Sequence, residues 1–470
     1  MADPDDVAAF GAEMRQKHFA FAEGYQPLNH GSFGTFPKSV LEYQRQLQFE
    51  SESKPDTWIR YTYLDLLKAS RSAVAPLLGA EAGEVVLVPN ATTGVNTVLQ
   101  NLVFQEGDIV LTFSTIYGAC NKTIESLSEI CPVSSHQIDI TYPVTDDDIV
   151  AEFHSALQHV RANAKTPRLA MFDAVLTFPG ARFPWEKLVA VCKEQGVLSF
   201  VDAAHGIGHV DLSHVGNVDP DFMISNCYKW LMVPRGCAVL YVPFRNQHLI
   251  SSTVPTSWGY LSKAERTAIP AQDYFDKLFE KVSTIDNTPY CCIPKALEFR
   301  SKICGGEAKI RDYCFGLARH GAARMAEILG TEALQDDSRC CFATVRLPLT
   351  IAELGTDGDG PAVAKWMQEL TPSEYETYIP IKFYAGAFWC RISAQIYLEI
   401  GDFEWAAATL MKICDRAKSQ EWKGRNARAN SDKSFIVAAL PKAGSIRLSL
   451  RVENKVGLFS RLRDQTVARQ

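Results

Sequence analysis

Short apolar runs alternate with amphipathic segments between residues 84 and 242. The runs have the lengths of buried strands, and the segments between them repeat apolar residues at helical spacing. Strands are predicted at residues 84–88, 109–113, 169–176, 198–201, 222–225 and 238–242. Since strands separated by helices usually pair in parallel, the pattern predicts an α/β fold with a large, doubly wound and mostly parallel sheet.

The pattern changes after residue 293. A long amphipathic segment is followed by strands and helices that no longer alternate regularly, which predicts a smaller α+β domain. The amphipathic segment covers 294–329, the strands 341–347, 389–392 and 445–451, the helices 360–369 and 402–419, and a polar, basic surface loop 421–434. We therefore assign 61–293 to a large domain and 294–470 to a linker helix and a small C-terminal domain.

Residues 1–60 precede the alternation and are predicted to form an N-terminal arm and a substrate-facing loop. The arm, 1–25, has a helical pattern, and residues 28–37 are too rich in glycine for a helix. Taken alone, the glycine-rich stretch is typical of an ordered turn. Its functional interpretation is a loop that presents Asn29 and His30 to a substrate.

Polar side chains follow two neighbouring strands of the predicted sheet. Asp202 comes directly after the run 198–201, and Lys229 comes four residues after the run 222–225. The carboxyl ends of parallel strands share one edge, where α/β sheets bind ligands. A carboxylate for a pyridinium nitrogen and an amine for a Schiff base are what pyridoxal phosphate (PLP) requires of a protein. Each residue alone is more often a surface ion-pair partner, but their order and spacing favour this cofactor.

The stretch after the first predicted strand could bind a phosphate. Residues 89–96 form a turn of small residues before an apolar helix predicted from Thr97, so backbone N–H groups and a helix dipole would face an anion. The stretch matches neither a Walker loop nor GxGxxG, and plain helix capping by Thr92 or Thr93 explains it equally well. Tyr117 and Thr177 follow other strands and join the same predicted edge.

Composition excludes several classes of protein. The 470 residues carry a net charge of −6, which gives no reason to expect nucleic acid or an anionic membrane as partner. No apolar run is long enough to span a bilayer, and the acidic start lacks the pattern of a signal peptide. The 13 cysteines have no CxxC or metal-ligand spacing. We therefore predict reduced thiols, no metal site and a cytoplasmic location.

The combined motifs resemble the class V PLP-dependent enzymes of aminotransferase fold type I over nearly the whole chain. Within that family they are most similar to the isopenicillin N epimerase-like branch and its fungal carbon–sulfur lyases of ergothioneine biosynthesis. The stretches that carry the resemblance are Leu28-Asn29-His30-Gly31-Ser32-Phe33-Gly34, Asn90-Ala91-Thr92-Thr93-Gly94-Val95-Asn96, Val201-Asp202-Ala203-Ala204-His205, Tyr228-Lys229-Trp230 and Arg391-Ile392-Ser393-Ala394-Gln395-Ile396-Tyr397.

The resemblance implies a role for each matching position. Lys229 would form the Schiff base with PLP, and Asp202 would keep the ring nitrogen protonated, which makes the ring a stronger electron sink. The other cofactor contacts that it implies are His205, Ala91, Thr92, Thr93, Tyr117, Thr177, Asn226 and Tyr228, with Thr284 supplied by a partner subunit. It therefore also implies a homodimer with shared active sites.

The resemblance further implies that Arg391 binds the substrate α-carboxylate, a task that suits a planar, bidentate fork. Arg447 and Arg451 are rivals from the last predicted strand, and His30 and Asn29 would add hydrogen bonds to the substrate. Aromatic candidates for binding a cationic substrate group are Trp58, Tyr61, Tyr63 and Trp389.

The implied reaction is β-elimination from a cysteine sulfoxide, with hercynylcysteine sulfoxide as the favoured substrate and pyruvate and ammonia among the products. Lys229 would be the general base, and Tyr117, or less favourably Cys120, would protonate the departing group. A cysteine desulfurase remains an alternative because Cys390 precedes Arg391, and so does an epimerase. The intact Lys229, Asp202 and Arg391 argue against a non-catalytic PLP-binding protein.

Overall fold

The computed structural model of the protein describes residues 9–334, 340–355 and 359–423. The chain divides into two units, Met1–Ser419 and Gln420–Gln470, and the following description concerns the first. The predicted loop at 421–434 lies outside the described residues beyond residue 423, and so does the whole predicted strand at 445–451, with Arg447 and Arg451. The predicted three-part division of the chain stays a prediction.

A seven-stranded sheet forms the large layer of the first unit. Its strands are β1 (Val85–Val88), β2 (Asp108–Phe113), β3 (Val133–Ile138), β4 (Thr166–Asp173), β5 (Leu198–Asp202), β6 (Phe222–Asn226) and β7 (Ala238–Tyr241). Their order is β1-β7-β6-β5-β4-β2-β3, and only β7 runs antiparallel to its neighbours. Nearly every residue of the central strands is buried. The predicted α/β class and mostly parallel sheet are confirmed.

Two features of this sheet differ from the predicted pattern. The edge strand β3 was not predicted, because its middle residues are polar and largely exposed, as an edge strand allows. Strand β4 ends at Asp173 rather than at residue 176. Strand β3 has neither the continuous apolar run of a fully buried strand nor the regular apolar–polar alternation of a half-buried one, so the pattern does not reveal it.

Helices pack against the strands of both sheets. They are α1 (Ala12–His18), α2 (His30–Phe33), α3 (Lys38–Ser53), α4 (Pro55–Thr57), α5 (Tyr63–Val74), α6 (Ala91–Asn101), α7 (Gly118–Ser128), α8 (Asp146–Ala162), α9 (Trp185–Gln195), α10 (Val215–Val218), α11 (Cys227–Trp230), α12 (Lys263–Thr267), α13 (Phe275–Leu278), α14 (Thr288–Cys291), α15 (Ile293–Glu298), α16 (Glu307–Leu329), α17 (Gly360–Glu374) and α18 (Ile400–Lys418). Two π-helical turns, Trp58–Thr62 and Phe299–Ile303, interrupt the series. Within the described ranges, no helix is both long and apolar enough to cross a membrane.

Helix α6 begins six residues before the predicted start at Thr97. Asn90 caps it, since its side-chain Oδ1 accepts the N–H of Thr93 at 2.8 Å. The first two turns are polar or small, so the apolar periodicity becomes visible only in the second half. The predicted phosphate turn is therefore the first part of a helix, with its amino end at the sheet edge.

The predicted glycine-rich loop contains the short helix α2, which corrects the expectation of a turn without helix. The helix ends at Gly34, whose φ is 62°. A Cβ at Gly34 would lie 1.9 Å from the carbonyl oxygen of Tyr228 and 2.9 Å from Cα of Lys229. Only glycine allows this approach, so α2 packs directly against the backbone of α11.

A three-stranded antiparallel sheet forms the small layer. Its strands are β8 (Phe342–Arg346), β9 (Ile381–Tyr384) and β10 (Ala387–Ser393), in the order β8-β10-β9. Arg391 lies on the central strand and pairs with Thr344 on β8. The Thr344 hydroxyl donates to the carbonyl oxygen of Pro179, which belongs to the loop after β4. This contact brings the small sheet and Arg391 to the carboxyl edge of the large sheet.

We expect Gly34→Ala to destabilise the protein far more than Gly24→Ala. Both glycines have a positive φ, so both substitutions carry the backbone penalty of about 1–2 kcal/mol, but a Cβ at Gly24 meets no atom within 4 Å. The clash with α11 should add more than about 2 kcal/mol to the loss of unfolding free energy at Gly34. Urea denaturation of both variants measures the difference, and equal losses would contradict the close approach.

Candidate active site

Three acidic or polar side chains end adjacent strands at the carboxyl edge of the large sheet. Asp173 is the last residue of β4, Asp202 of β5 and Asn226 of β6. Helix α11 follows β6 without a loop, which puts Lys229 one turn beyond the strand end. The sequence correctly predicted Asp202 and Lys229 at this edge. It missed Asp173, because the predicted strand ran past it; an aspartate following Met171 and Phe172 was the available signal.

Lys229 is buried, and its Nζ lies 3.2 Å from Nε2 of His205. Burial is the main reason why the pKa of the amine falls from 10.5 to about 8; Asp202 opposes the shift, and the charge of Arg391 contributes to it. The amine is therefore about half neutral near pH 8, and an appreciable fraction is neutral slightly below that pH. A neutral, buried amine is the form that reacts with a carbonyl group.

His205 connects Lys229 to the neighbouring loops. Its Nδ1 accepts the indole N–H of Trp230 at 3.3 Å, and its Nε2 lies 3.2 Å from both Lys229 Nζ and Thr177 Oγ1. Since Nδ1 is an acceptor, the neutral ring carries its proton on Nε2. Burial, with Lys229 and Arg391 nearby, holds the pKa of His205 well below its ordinary value, so the ring is neutral.

Asp202 accepts a hydrogen bond on each oxygen. The backbone N–H of Ala204 reaches Oδ1 at 2.9 Å, and Sγ of Cys120 lies 3.5 Å from Oδ2. Asp173 is its register partner on β4 and is also buried. Burial, and then the charge of Asp202, raise the pKa of Asp173 well above its ordinary value. Of the two carboxyl groups, Asp202 has the donors that stabilise an ionised form.

Arg391 is a buried cation that forms an ion pair with no carboxylate in the described part of the chain. Its side chain donates to the carbonyl oxygen of Thr177, to Asn29 Oδ1 at 3.0 Å and to Ser32 Oγ at 3.2 Å. The guanidinium carbon lies 4.5 Å from the ring centre of Phe342. Only 2% of Arg391 is exposed, its Nε has no hydrogen-bond partner, and no carboxylate pairs with it within the described ranges. Burial lowers the pKa of Arg391 to about 10.

The start of α6 leaves one residue free for a phosphate. The N–H of Ala91 donates to Asn226 Oδ1 at 2.9 Å, and the N–H of Thr93 donates to Asn90. Thr92 is exposed, and its N–H and hydroxyl make no hydrogen bond to the described part of the chain. Of the predicted turn contacts, Thr92 is therefore the available donor, while Ala91 and Asn226 shape the turn.

His30 and Asn29 lie on α2 and its cap, but only Asn29 reaches toward the substrate side. His30 is fully buried; its Nε2 donates to the carbonyl oxygen of Lys229 at 2.6 Å, and its Nδ1 accepts from the Tyr397 hydroxyl at 2.8 Å. Burial lowers the pKa of His30 to about 4. Because both ring nitrogens are engaged, the expected direct substrate contact of His30 is replaced by a contact that supports Lys229.

The remaining predicted site residues differ in how exposed they are. Tyr117 caps α7 and is 48% exposed, and Tyr228 is half-buried, with its pKa raised by burial to about 12. Thr284 is exposed and lines a separate cavity of about 630 Å³ with Trp258 and Ile59. The chain itself does not bring Thr284 to Lys229, so its predicted phosphate contact requires a second subunit.

The residues present fit PLP. A buried amine of lowered pKa, a carboxylate at the neighbouring strand end and a helix amino terminus with a free Thr92 are the groups that hold an aldehyde, a ring nitrogen and a phosphate. No group of His, Cys, Asp and Glu in the described ranges is arranged to bind a metal ion.

Comparisons with known proteins agree with this chemistry. Residues 59–259 match the aminotransferase class-V family. The L-cysteine desulfhydrase-like protein lolT1 of Epichloe uncinata is 37% identical over 445 residues, covering 88% of this chain and 97% of that protein. The hercynylcysteine sulfoxide lyase of Schizosaccharomyces pombe is 31% identical over 407 residues, covering 86% and 98%.

Solved structures share the fold at low sequence identity. The cystine C–S lyase C-DES, in a complex with cysteine persulfide, superimposes with a TM-score of 0.65 at 19% identity, covering 83% of this chain and 98% of that chain. A fold that is shared at 19% identity does not identify the substrate. The chain thus belongs to the aminotransferase class-V family and is a fold type I, PLP-dependent carbon–sulfur lyase.

Proposed function

We propose that this lyase cleaves a cysteine sulfoxide conjugate by β-elimination, with hercynylcysteine sulfoxide as the favoured substrate. The observation that carries the proposal is Arg391, a buried guanidinium with an unpartnered Nε and no carboxylate within the described ranges. An uncompensated buried charge is costly, and a bidentate substrate carboxylate would compensate it. The 31% identity to the S. pombe hercynylcysteine sulfoxide lyase supports this choice of substrate.

Bound PLP supplies an electron sink for the electron pair left on the substrate Cα when its proton is removed. Lys229 takes that proton on Nζ, because its amine is neutral in a large share of molecules near pH 8. Asp202 would hold the proton on the ring nitrogen of the bound cofactor. Arg391 and Asn29 bind the α-carboxylate and so orient the Cα–H bond toward Lys229.

The bond between Cβ and sulfur then breaks, and the sulfur leaves as a sulfenic acid once its oxygen is protonated. The remaining three-carbon fragment hydrolyses to pyruvate and ammonia. Tyr117 donates this proton in our proposal, since it is partly exposed at the site. Cys120, the other candidate, is buried with its thiol on Asp202, which removes it from the leaving group.

The desulfurase alternative requires a reactive, accessible cysteine. All 13 cysteines fall in the described ranges; 12 are buried and Cys131 is partly buried. Cys390, the candidate beside Arg391, is fully buried, and burial raises its pKa to about 12. A reactive cysteine must be accessible and must form a thiolate readily. Because these thiols are buried and the pKa of Cys390 is raised, elimination is favoured over persulfide transfer. An epimerase differs by releasing no pyruvate.

The proposed assembly is a homodimer in which Thr284 completes the phosphate site of the partner. Thr284 lies on an exposed segment beside Ile285, which is 48% exposed, and Trp258, which is 90% exposed. Sedimentation should give twice the chain mass, and Thr284→Ala should weaken PLP binding roughly threefold to tenfold. A monomer with full PLP affinity would contradict this arrangement.

A cationic group on the substrate would need an exposed aromatic face. Trp58 and Tyr63 are buried, which assigns them to packing, whereas Tyr61 is 69% exposed. Trp389 is partly buried, and its indole N–H has no partner in the described ranges. Tyr61 and Trp389 are therefore the aromatic residues that remain available for the favoured substrate.

The pH dependence of cofactor capture should report the lowered pKa of Lys229. Only the neutral amine reacts, so the rate at which apoprotein binds PLP covalently should rise with pH to a plateau, with a midpoint near 8. In Arg391→Gln the midpoint should move upward by about half a unit or more, because a nearby positive charge is lost. A rate that keeps rising toward the ordinary lysine value of 10.5 would contradict the assignment.

Arg391→Lys should lower kcat/KM roughly tenfold to a hundredfold for every cysteine sulfoxide, because it keeps the charge but loses the planar fork. Arg346→Lys is the matched control, since Arg346 lies on the neighbouring strand β8 and pairs with Glu332 on the surface. It should leave turnover unchanged. Comparable losses in both variants would refute the carboxylate role.

Pyruvate release from a substrate panel tests the proposed reaction. Hercynylcysteine sulfoxide, an alkyl cysteine sulfoxide, a thioether and L-cysteine are compared with wild-type protein and with Lys229→Ala, which should lose nearly all turnover. We expect the sulfoxides to exceed the thioether, with hercynylcysteine sulfoxide fastest. Preference for L-cysteine with sulfide release would instead establish a desulfhydrase, and racemisation without pyruvate an epimerase.

A further inference from the structure

Cys120 lies in the first turn of α7, three residues after Tyr117, and its thiol contacts the Asp202 carboxyl group. Sγ is 3.5 Å from Oδ2, and both side chains are buried. Tyr117 caps this helix and is 48% exposed, whereas Cys120 is buried. The contact has no part in the proton transfers described above.

The thiol is the donor in this contact. Burial, and then the charges of Asp202 and Asp173, raise the pKa of Cys120 well above its ordinary value, so the sulfur keeps its proton. An ionised carboxylate only accepts hydrogen bonds, whereas a thiol donates one. Cys120 therefore gives Asp202 an S–H hydrogen bond in a region from which water is excluded.

Two carboxyl groups lie side by side near Lys229, and of these only Asp202 receives hydrogen bonds from other residues among those that the structure describes. Asp202 accepts from the Ala204 N–H and from Cys120. The carboxyl group of Asp173, the register partner of Asp202, accepts no hydrogen bond from another residue in the described ranges. Donors stabilise the ionised form of a carboxyl group, and two adjacent buried carboxylates repel each other. The negative charge is thereby directed to Asp202.

We infer that Cys120 is a positioning residue for the cofactor: its thiol fixes the rotation of the Asp202 carboxyl group and favours its ionised form, so that it can meet the ring nitrogen of PLP. With a donor on each oxygen, the carboxylate cannot turn about its Cβ–Cγ bond without breaking a hydrogen bond. Cys120 acts through Asp202 and not on the substrate. The inference rests on the proposed role of Asp202 as the partner of the ring nitrogen.

Cys120→Ser and Cys120→Ala separate the hydrogen bond from packing. Both remove a similar volume, but only serine keeps a donor. The Kd for PLP is measured by titrating the apoprotein, and kcat by pyruvate release. Cys120→Ala should weaken PLP binding and lower kcat roughly threefold to tenfold, and Cys120→Ser should restore both to within about twofold of wild type.

Cys192→Ala is the matched control and should change neither quantity. Cys192 is buried on α9, and its carbonyl oxygen accepts the N–H of Val197 just before β5, at the opposite edge of the sheet. If Cys120→Ala does not fold, Cys120→Val, which fills the space without a donor, replaces it in the same comparison. Equal losses in the serine and donor-free variants would assign Cys120 to packing and overturn the inference.

Asp202→Asn distinguishes a failure of this inference from a failure of the underlying assignment. A loss of PLP affinity and turnover in Asp202→Asn, without a loss in the donor-free Cys120 variant, overturns the inference and leaves Asp202 as the cofactor partner. Unchanged values in Asp202→Asn remove the assignment of Asp202 and the inference together.

Discussion

The site depends on a fixed backbone in the four-residue helix α11. A helix of one turn is not stable by itself, and here buried polar side chains hold it from outside. His30 donates to the carbonyl oxygen of Lys229 at 2.6 Å, and Arg300 donates to that of Trp230 at 2.8 Å. Gly34 also packs directly against the backbone of Tyr228 and Lys229. The lysine that would bond to the cofactor is thus attached to a rigid support.

Arg300, one of the residues that hold α11, is paired with an acidic side chain. Arg300 is 1% exposed and pairs with Glu307 at 2.5 Å, while it also donates to the carbonyl oxygen of Gly208 at 3.0 Å. The paired anion and the satisfied donors offset the desolvation cost of this buried cation. Arg391 is equally buried but has no such anion in the described ranges. This contrast is the reason why we propose Arg391, and not Arg300, as the group that binds the substrate carboxylate.

The polar and charged groups around Lys229 come from different parts of the chain. Asp202 belongs to the large sheet, Arg391 to the small sheet, and Asn29 to the N-terminal segment. Burial in this interior lowers the pKa of Lys229, Asp202 opposes the shift and Arg391 adds to it, while His205 stays neutral. The site therefore assembles only when both sheets and the N-terminal segment are packed together. A lid or hinge is not needed to explain its electrostatics.

Local patterns in the sequence determined the fold class and the central pair of residues. Buried parallel strands are continuous apolar runs, so a polar residue at the end of such a run marks the carboxyl edge, as at Asp202. The family motifs around Lys229 and Arg391 extended this prediction of a site to a bound cofactor and to an expected contact with a substrate carboxylate. These features depend on residues that are neighbours along the chain, which is why one sequence suffices to find them.

Tertiary structure alone decided the contacts between residues that are distant in sequence. The pairing of Cys120 with Asp202 spans 82 positions, and that of His30 with the Lys229 carbonyl spans 199. Periodicity also carries no information on strand direction, so the antiparallel β7 could not be read from its apolar run. Side-chain roles at the site are set by which groups meet in a dry interior, and only packing brings those groups together.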